Sequence, residues 1–435
     1  VARYDGAASG DDDARSVVTS PDGTMVFVTG ISVGDTIDYA TVAYDAATGR
    51  RLWRALYNGP ADGEDDALAA TVTPDGSAVI ITGTSQGGDS PDPGGWDYAT
   101  VAYDAASGAQ LWVSRYDGPG HLSDAAGALA TSADGSKVFV TGHSVGTTSD
   151  DDYTTIAYRV SSGAKLWVRR YNGPGNGGDV ATALATSPDG SKLFVTGSSP
   201  GSTSDTDYAT VAYRAATGAR LWLRRYDGPG DGSDGASSVV PSPDGSRVFV
   251  TGSSLGTASD LDYATVAYDA ETGVRLWLSR YNGPGNADDH ARAAAASPDG
   301  SRIFVTGFSA GTSGYDYATL AYRADTGARI WRNRYNGPGD ANANTAIALA
   351  ASPVAPEVIV TGFSIGITSS YDFATLSYDS STGMARWVNR YNGSGNGIDQ
   401  PRALAISEDG SRVFVTGRSS GETTAYDYAT VAYGR

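Results

Sequence analysis

Short apolar runs alternate with polar turns along the whole chain, and no stretch sustains a helical period, which predicts an all-β protein. Residues 234–283 show the pattern. A run of small and apolar residues, Ala236 to Val240, ends at Ser242-Pro243-Asp244-Gly245, where proline presets φ and glycine accepts a positive φ. The β-branched and aromatic run Arg247-Val248-Phe249-Val250-Thr251 predicts a second strand. A polar loop over 252–260 leads to a third, Tyr263 to Tyr268, and a turn at 269–273 leads to a fourth, Arg275 to Tyr281. Asn282-Gly283-Pro284-Gly285 closes the unit.

The unit recurs. Each return carries Asp-Tyr-Ala-Thr or a near variant, with its aspartate at 38, 97, 152, 207, 262, 316, 372 and 427, at spacings of 59, 55, 55, 55, 54, 56 and 55. A fixed period of this length means an array of equivalent units, and four strands per unit repeated radially predicts a β-propeller of eight blades over a single domain, 1–435. First strands built of small residues, such as Ala181 to Ala185, suit the crowded axis; Trp and Tyr fall on outer strands, where gaps between blades widen. The last copy stops at Arg435 before its fourth strand, while Val1-Ala2-Arg3-Tyr4-Asp5-Gly6 matches Val113-Ser114-Arg115-Tyr116-Asp117-Gly118. The N-terminal strand is therefore expected to complete the last blade, close the ring and cover an open edge.

Composition narrows the partners. Thirty-one basic against 49 acidic residues give a net charge of −18, which argues against nucleic acid and anionic membranes. No apolar run approaches the ~20 residues that span a bilayer, so no membrane insertion is expected. The absence of cysteine removes disulfides, thiolate metal sites and cysteine nucleophiles. The chain opens at Val1 with no methionine or signal peptide, which predicts that upstream residues were removed or not included. Few lysines (137, 165 and 192) among abundant Gly, Ser, Thr, Asp and Tyr suit a secreted or cell-surface bacterial protein.

The link between third and fourth strands reads Ala43-Tyr44-Asp45-Ala46-Ala47-Thr48-Gly49-Arg50-Arg51-Leu52-Trp53, with close versions ending at Trp112, Trp167, Trp222, Trp277, Trp331 and Trp387. It resembles the tryptophan-docking motif of quinoprotein-like (PQQ-like) eight-bladed propellers, and the whole repeat resembles bacterial SBBP-type β-propeller repeats. The resemblance implies the fold; it does not fix a function, because such propellers include dehydrogenases, assembly factors and modules without known activity. A quinone-dependent dehydrogenase of this kind would be longer, with a calcium and quinone site on insertions and a vicinal cysteine pair. This chain has no cysteine and no long insertion.

Several motifs invite chemistry. Gly-x-Ser-x-Gly ends the second strand of every copy, as in Gly197 to Gly201, but the nucleophile elbow needs a strand-to-helix turn with a partner His and acid. Its repetition in all eight copies predicts glycines that shape a loop. His121 and His143 fall in one blade and could approach each other, but two histidines without a third ligand do not define a metal site. Acidic runs at 11–13, 64–66, 150–152 and 288–289 could accept calcium, though no defined calcium loop is present; carboxylates fixing loops through backbone N–H groups are the simpler reading.

No acid, base or nucleophile stands out from the eightfold background. The expectation is therefore a monomeric, non-enzymatic module that binds a carbohydrate, a peptide or a protein on one face; a lyase or hydrolase and a structural component of a larger assembly are the alternatives. Strand alternation puts the loops between second and third strands on the same face as the inter-blade loops, which marks that face for binding. Two repeat positions there turn aromatic or cationic along one arc: Phe308, Phe363 and Arg418 after the second strand's Thr-Gly, and Tyr315, Tyr371 and Tyr426 before the signature aspartate. Trp96 holds the latter position in blade 2, beside a four-residue insertion, and is expected to be exposed. Aromatic faces with arginine nearby suit sugars or a protein partner.

Overall fold

The structure, a computed structural model, describes residues 1–6, 10–87, 95–203, 205–257, 260–311, 314–338, 343–422 and 425–434. Their strands form eight four-stranded antiparallel sheets, each running outward in chain order apart from the last. That sheet is completed by Ala2–Tyr4, with Ala2 opposite Thr430, Arg3 opposite Ala429 and Tyr4 opposite Tyr428. The first strands touch their neighbours all the way round, from Asp13–Thr19 in blade 1 to Asp399–Ile406 in blade 8 and back. The ring is closed, and the expected propeller is the observed one. No described helix is long and apolar enough to cross a membrane.

The second strand runs further than the sequence suggests. In blade 5 it spans Arg247–Leu255 and the third spans Leu261–Asp269, so the loop is shorter than 252–260. Gly252 lies within the sheet rather than in a loop: a Cβ there would sit 2.0 Å from the Gly235 carbonyl oxygen, where the first strand bulges between Ala236 and Ser238. Glycine is needed for that close approach, which extended-strand propensity does not reveal.

Each letter of the signature has a structural task. In blade 4, Asp207 accepts from Arg225 of the fourth strand at 2.7 Å, and that guanidinium also reaches Ser199 and the Tyr171 hydroxyl of the preceding blade at 2.9 Å. The Tyr208 hydroxyl donates to the Ala264 carbonyl of the next blade at 3.3 Å, and Thr210 pairs with Thr196 at 3.0 Å. The small Ala209 lets the blades meet. Arg3 reproduces the ionic corner at the closure, binding Asp427, Ser419 and Tyr391. Blade 1 departs from it: Leu56 stands in the arginine's place, and Asp38 accepts from Thr36 at 3.0 Å. The motif serine is therefore a buried ligand of an arginine, as at Ser199, and is not displayed on an elbow.

The tryptophans fasten blade to blade. Trp222 lies on Gly273 of the next blade, where a Cβ would meet the indole at 2.7 Å, and its Nε1–H donates to the Ala270 carbonyl at 3.2 Å. Trp53, Trp112, Trp167, Trp277 and Trp331 repeat this contact. Trp387 differs: it is half-buried and packs on Tyr433, with the ring centroids 5.9 Å apart.

Candidate functional site on the loop face

Two variable repeat positions flank the loops between second and third strands. Across blades 1 to 3 they open on a cavity of about 460 Å³. Ile31, Ile37, Thr84, Trp96 and His143 line it from the ends of second and third strands, Glu64 from an inter-blade segment, and Asp66 and Asp124 from the starts of the first strands that follow such segments. The two kinds of connection thus share one face, as strand alternation requires. Trp96 corrects its sequence reading. It is the first residue of a strand, Trp96–Asp104, opposite Gln86, and is half-buried rather than exposed. The segment preceding it that carries the insertion, 88–94, lies outside the described residues.

Acid dominates this cavity. Asp66 sits 3.7 Å from Arg15, and burial raises its pKa. Asp124 is fully buried and accepts the Gly118 N–H at 2.5 Å. Burial, opposed by hydrogen bonds from Ser144 and Gly118, and reinforced by the charges of Asp117 and Asp97, pushes its carboxyl up to about 6. An indole beside carboxylates is a surface for a cation.

The remaining aromatic positions form pairs within blades. Phe308 meets Tyr315 edge-on at 5.1 Å between centroids, and Phe363 meets Tyr371 at 5.0 Å. Arg418 lies 4.6 Å over the Tyr426 ring while donating to Gln400 Oε1. Tyr315 is 36% exposed; the other five are half-buried. Much of each ring's edge is thus spent on its own partner. Phe308 also stacks on His290 at 4.6 Å, a neighbour that sequence spacing did not suggest.

The histidines go separate ways. His121 occupies the left-handed position of the inter-blade turn (φ 52°), where other blades place Asn176, Asn286 or Asn396, and its pKa is raised by a 2.6 Å bond to Asp117. His143 faces the cavity. Carboxylates that could share a cation come from three segments each: Asp5 with Asp12 and Asp427, Asp97 with Asp117 and Asp124, and Asp207 with Asp227 and Asp234, their ligand oxygens within 4.8 Å. None of the acidic runs named from sequence forms such a group by itself among the described residues. The missed signal is Asp5, Asp117 and Asp227 standing where the other copies have Asn.

Known structures share the architecture. Sqt1 of Chaetomium thermophilum, solved bound to the N-terminus of the ribosomal protein L10, is 15% identical with a TM-score of 0.66, covering 100% of this chain and 99% of that one. The Dos1 propeller is 10% identical with a TM-score of 0.62, covering 98% and 95%. Quinohemoprotein alcohol dehydrogenase from Comamonas testosteroni is 13% identical with a TM-score of 0.58, covering 99% of this chain and 78% of that enzyme. At these identities the likeness establishes the fold alone. No curated protein sequence matches. The family model described as outer membrane protein assembly factor BamB matches residues 38–204 and 97–430, so this PQQ-like propeller belongs to that family.

Proposed function

We propose that the protein is a non-enzymatic binding module, monomeric and displayed outside the cytoplasm, that holds a basic segment of a partner protein on its loop face. The observation that carries this reading is the cavity of blades 1 to 3, where Trp96 stands among Glu64, Asp66 and Asp124. A lysine or arginine side chain would find an indole face and carboxylate acceptors there. Kinship to an assembly-factor family supports a scaffold role, and Sqt1, solved with a protein N-terminus bound, illustrates a propeller that captures a chain segment. Likeness to SBBP-type repeats and the lysine-poor composition support export.

The test is calorimetric titration with an Arg/Lys-rich peptide and with a Gly/Ser peptide of equal length. The basic peptide is expected to bind and the neutral one not. Trp96→Ala combined with Glu64→Gln should weaken binding by about ten-fold, from the loss of one cation–π contact and one rim charge. Equal affinity of the double variant would overturn the site.

A further inference from the structure

Further round the same face, blades 4 to 6 enclose a second cavity, of about 410 Å³, with a different chemistry. Its polar lining includes Thr182, Ser198, Ser237, Ser253, His290 and Arg292. Arg292 is the anomaly. It is the bulged residue of its strand, between Ala291 and Ala293, so no residue of the second strand lies opposite it. Arg15 and Arg402 occupy the same bulge position in blades 1 and 8, and both are ion-paired with Asp13, at 3.3 and 3.1 Å. Arg292 has no ion pair or hydrogen bond among the described residues; its guanidinium lies over Phe308, 5.3 Å from the ring centroid. In a chain of net charge −18, an arginine left without an anion on a cavity wall is available to a ligand's anion.

The hydroxyls state what else that ligand must carry. Thr182 donates to the Ala236 carbonyl and Ser237 to the Ala291 carbonyl, each at 2.7 Å. Their protons are committed, so they meet a ligand as acceptors and call for donors on it. Ser253 is engaged with His290 Nδ1 at 2.9 Å. Asp234, on the same wall, has its oxygens filled by the Gly228 and Leu255 N–H groups and opposes a second negative charge. A monoanion bearing several hydroxyls satisfies the guanidinium, the acceptor oxygens and the neighbouring carboxylate together. An inorganic dianion does not, and a neutral sugar leaves the arginine unpaired.

We infer that this cavity binds a sugar acid of the hexuronate type, its carboxylate on Arg292 and its hydroxyls on Thr182 and Ser237. The inference shares with the proposed function the loop face as binding face, but not the acidic cavity. Calorimetry and saturation-transfer NMR with sodium glucuronate, glucose and sodium acetate test it. Glucuronate is expected to bind at least about ten-fold more tightly than either of the others, which lack one half of the match. Arg292→Gln, which removes no hydrogen bond or ion pair within the protein, only the contact over Phe308, and should lower the melting temperature little, is expected to abolish that advantage. Thr182→Val should weaken glucuronate and leave acetate unaffected. The Trp96→Ala/Glu64→Gln variant should bind glucuronate like the parent protein even if it loses the basic peptide, which separates the two sites. Absence of glucuronate binding, acetate binding as tightly as glucuronate, or an unaltered Arg292→Gln variant would each overturn the inference.

Discussion

The two cavities of the loop face are built on the same repeat positions and have opposite chemistry. At the position after the second strand's Thr-Gly, blades 1 to 3 carry Ile31, Thr84 and His143, whereas blades 4 and 5 carry Ser198 and Ser253. Before the signature aspartate, Trp96 in the first cavity answers to Thr206 and Leu261 in the second. One ends acidic and aromatic, the other hydroxylated with a lone guanidinium. Their backbones match because what sets the backbone is shared: the bridging tyrosine, the docked indole, the glycine at the bulge and, in every blade but the first, the Arg–Asp–Ser corner. The lesson is a division of labour within each repeat, in which buried positions fix geometry and the strand ends set chemistry.

The comparison breaks most severely if the common frame is opened. Deleting residues 1–6 removes the strand opposite Tyr428 to Thr430 together with the Arg3 corner. A melting temperature lower by about 10 °C or more is expected, because an unpaired edge remains and the buried Asp427 loses its Arg3 partner. Both cavities should lose binding together. An unchanged melt by circular dichroism would mean that closure contributes nothing.

A gentler test sets equivalent aspartates of the two cavities against each other. Asp124 and Asp234 both have raised pKa values, mainly through burial. Each lies in a trio of carboxylates, but Asp234 also accepts the Leu255 N–H, a bond that opposes the rise. With a folded pKa of about 6, the contribution of Asp124 is fully favourable below its unfolded value and is lost as pH rises through about 6. Asp124→Asn should therefore stabilise the protein above pH 6, by about 2 kcal/mol after allowance for partial screening, and should give no gain near pH 3. Blade 7 already carries Asn344 at this position, buried and well bonded, so the amide fits. Asp234→Asn should gain less. Urea melts at pH 4 and pH 8 decide the matter, and equal gains for the two variants would erase the distinction.

The smallest effect probes the frame itself. Phe373 replaces the bridging tyrosine in blade 7 and is fully buried, so the hydroxyl bond to the next blade is missing there. Phe373→Tyr should supply a donor towards the Ala429 carbonyl and add about 1 kcal/mol in a chemical melt. A loss of stability would show that blade 7 packs differently from the others.

Much of this was legible from residues alone. Strand alternation, the Ser-Pro-Asp-Gly turns and the return of Asp-Tyr-Ala-Thr give blade number, strand count and the closing segment, because each is a local pattern repeated at a fixed period. The loop face followed from strand direction, and the glycines of the Gly-x-Ser-x-Gly motif were recognised as structural but misplaced in a loop. Their true role depends on how closely the Gly235 carbonyl approaches, a contact between strands. Trp96 was singled out by its position, yet its half-buried setting beside Glu64 and His143 joins residues of two blades. Arg292 stands in a run of alanines, where no local pattern marks it.

Sequence by itself determined the repeat, and with it the scaffold, since strand pairing within a blade links neighbours in the chain through turns that the residues specify. Only the tertiary structure decided which variable positions meet. Thr182 faces the same cavity as Arg292 because rotation about the ring axis brings alternate blades to a common mouth, and no local pattern encodes that rotation. It is set by the sum of the contacts between blades, the indole on glycine and the tyrosine on carbonyl, each of which acts across some fifty residues of chain.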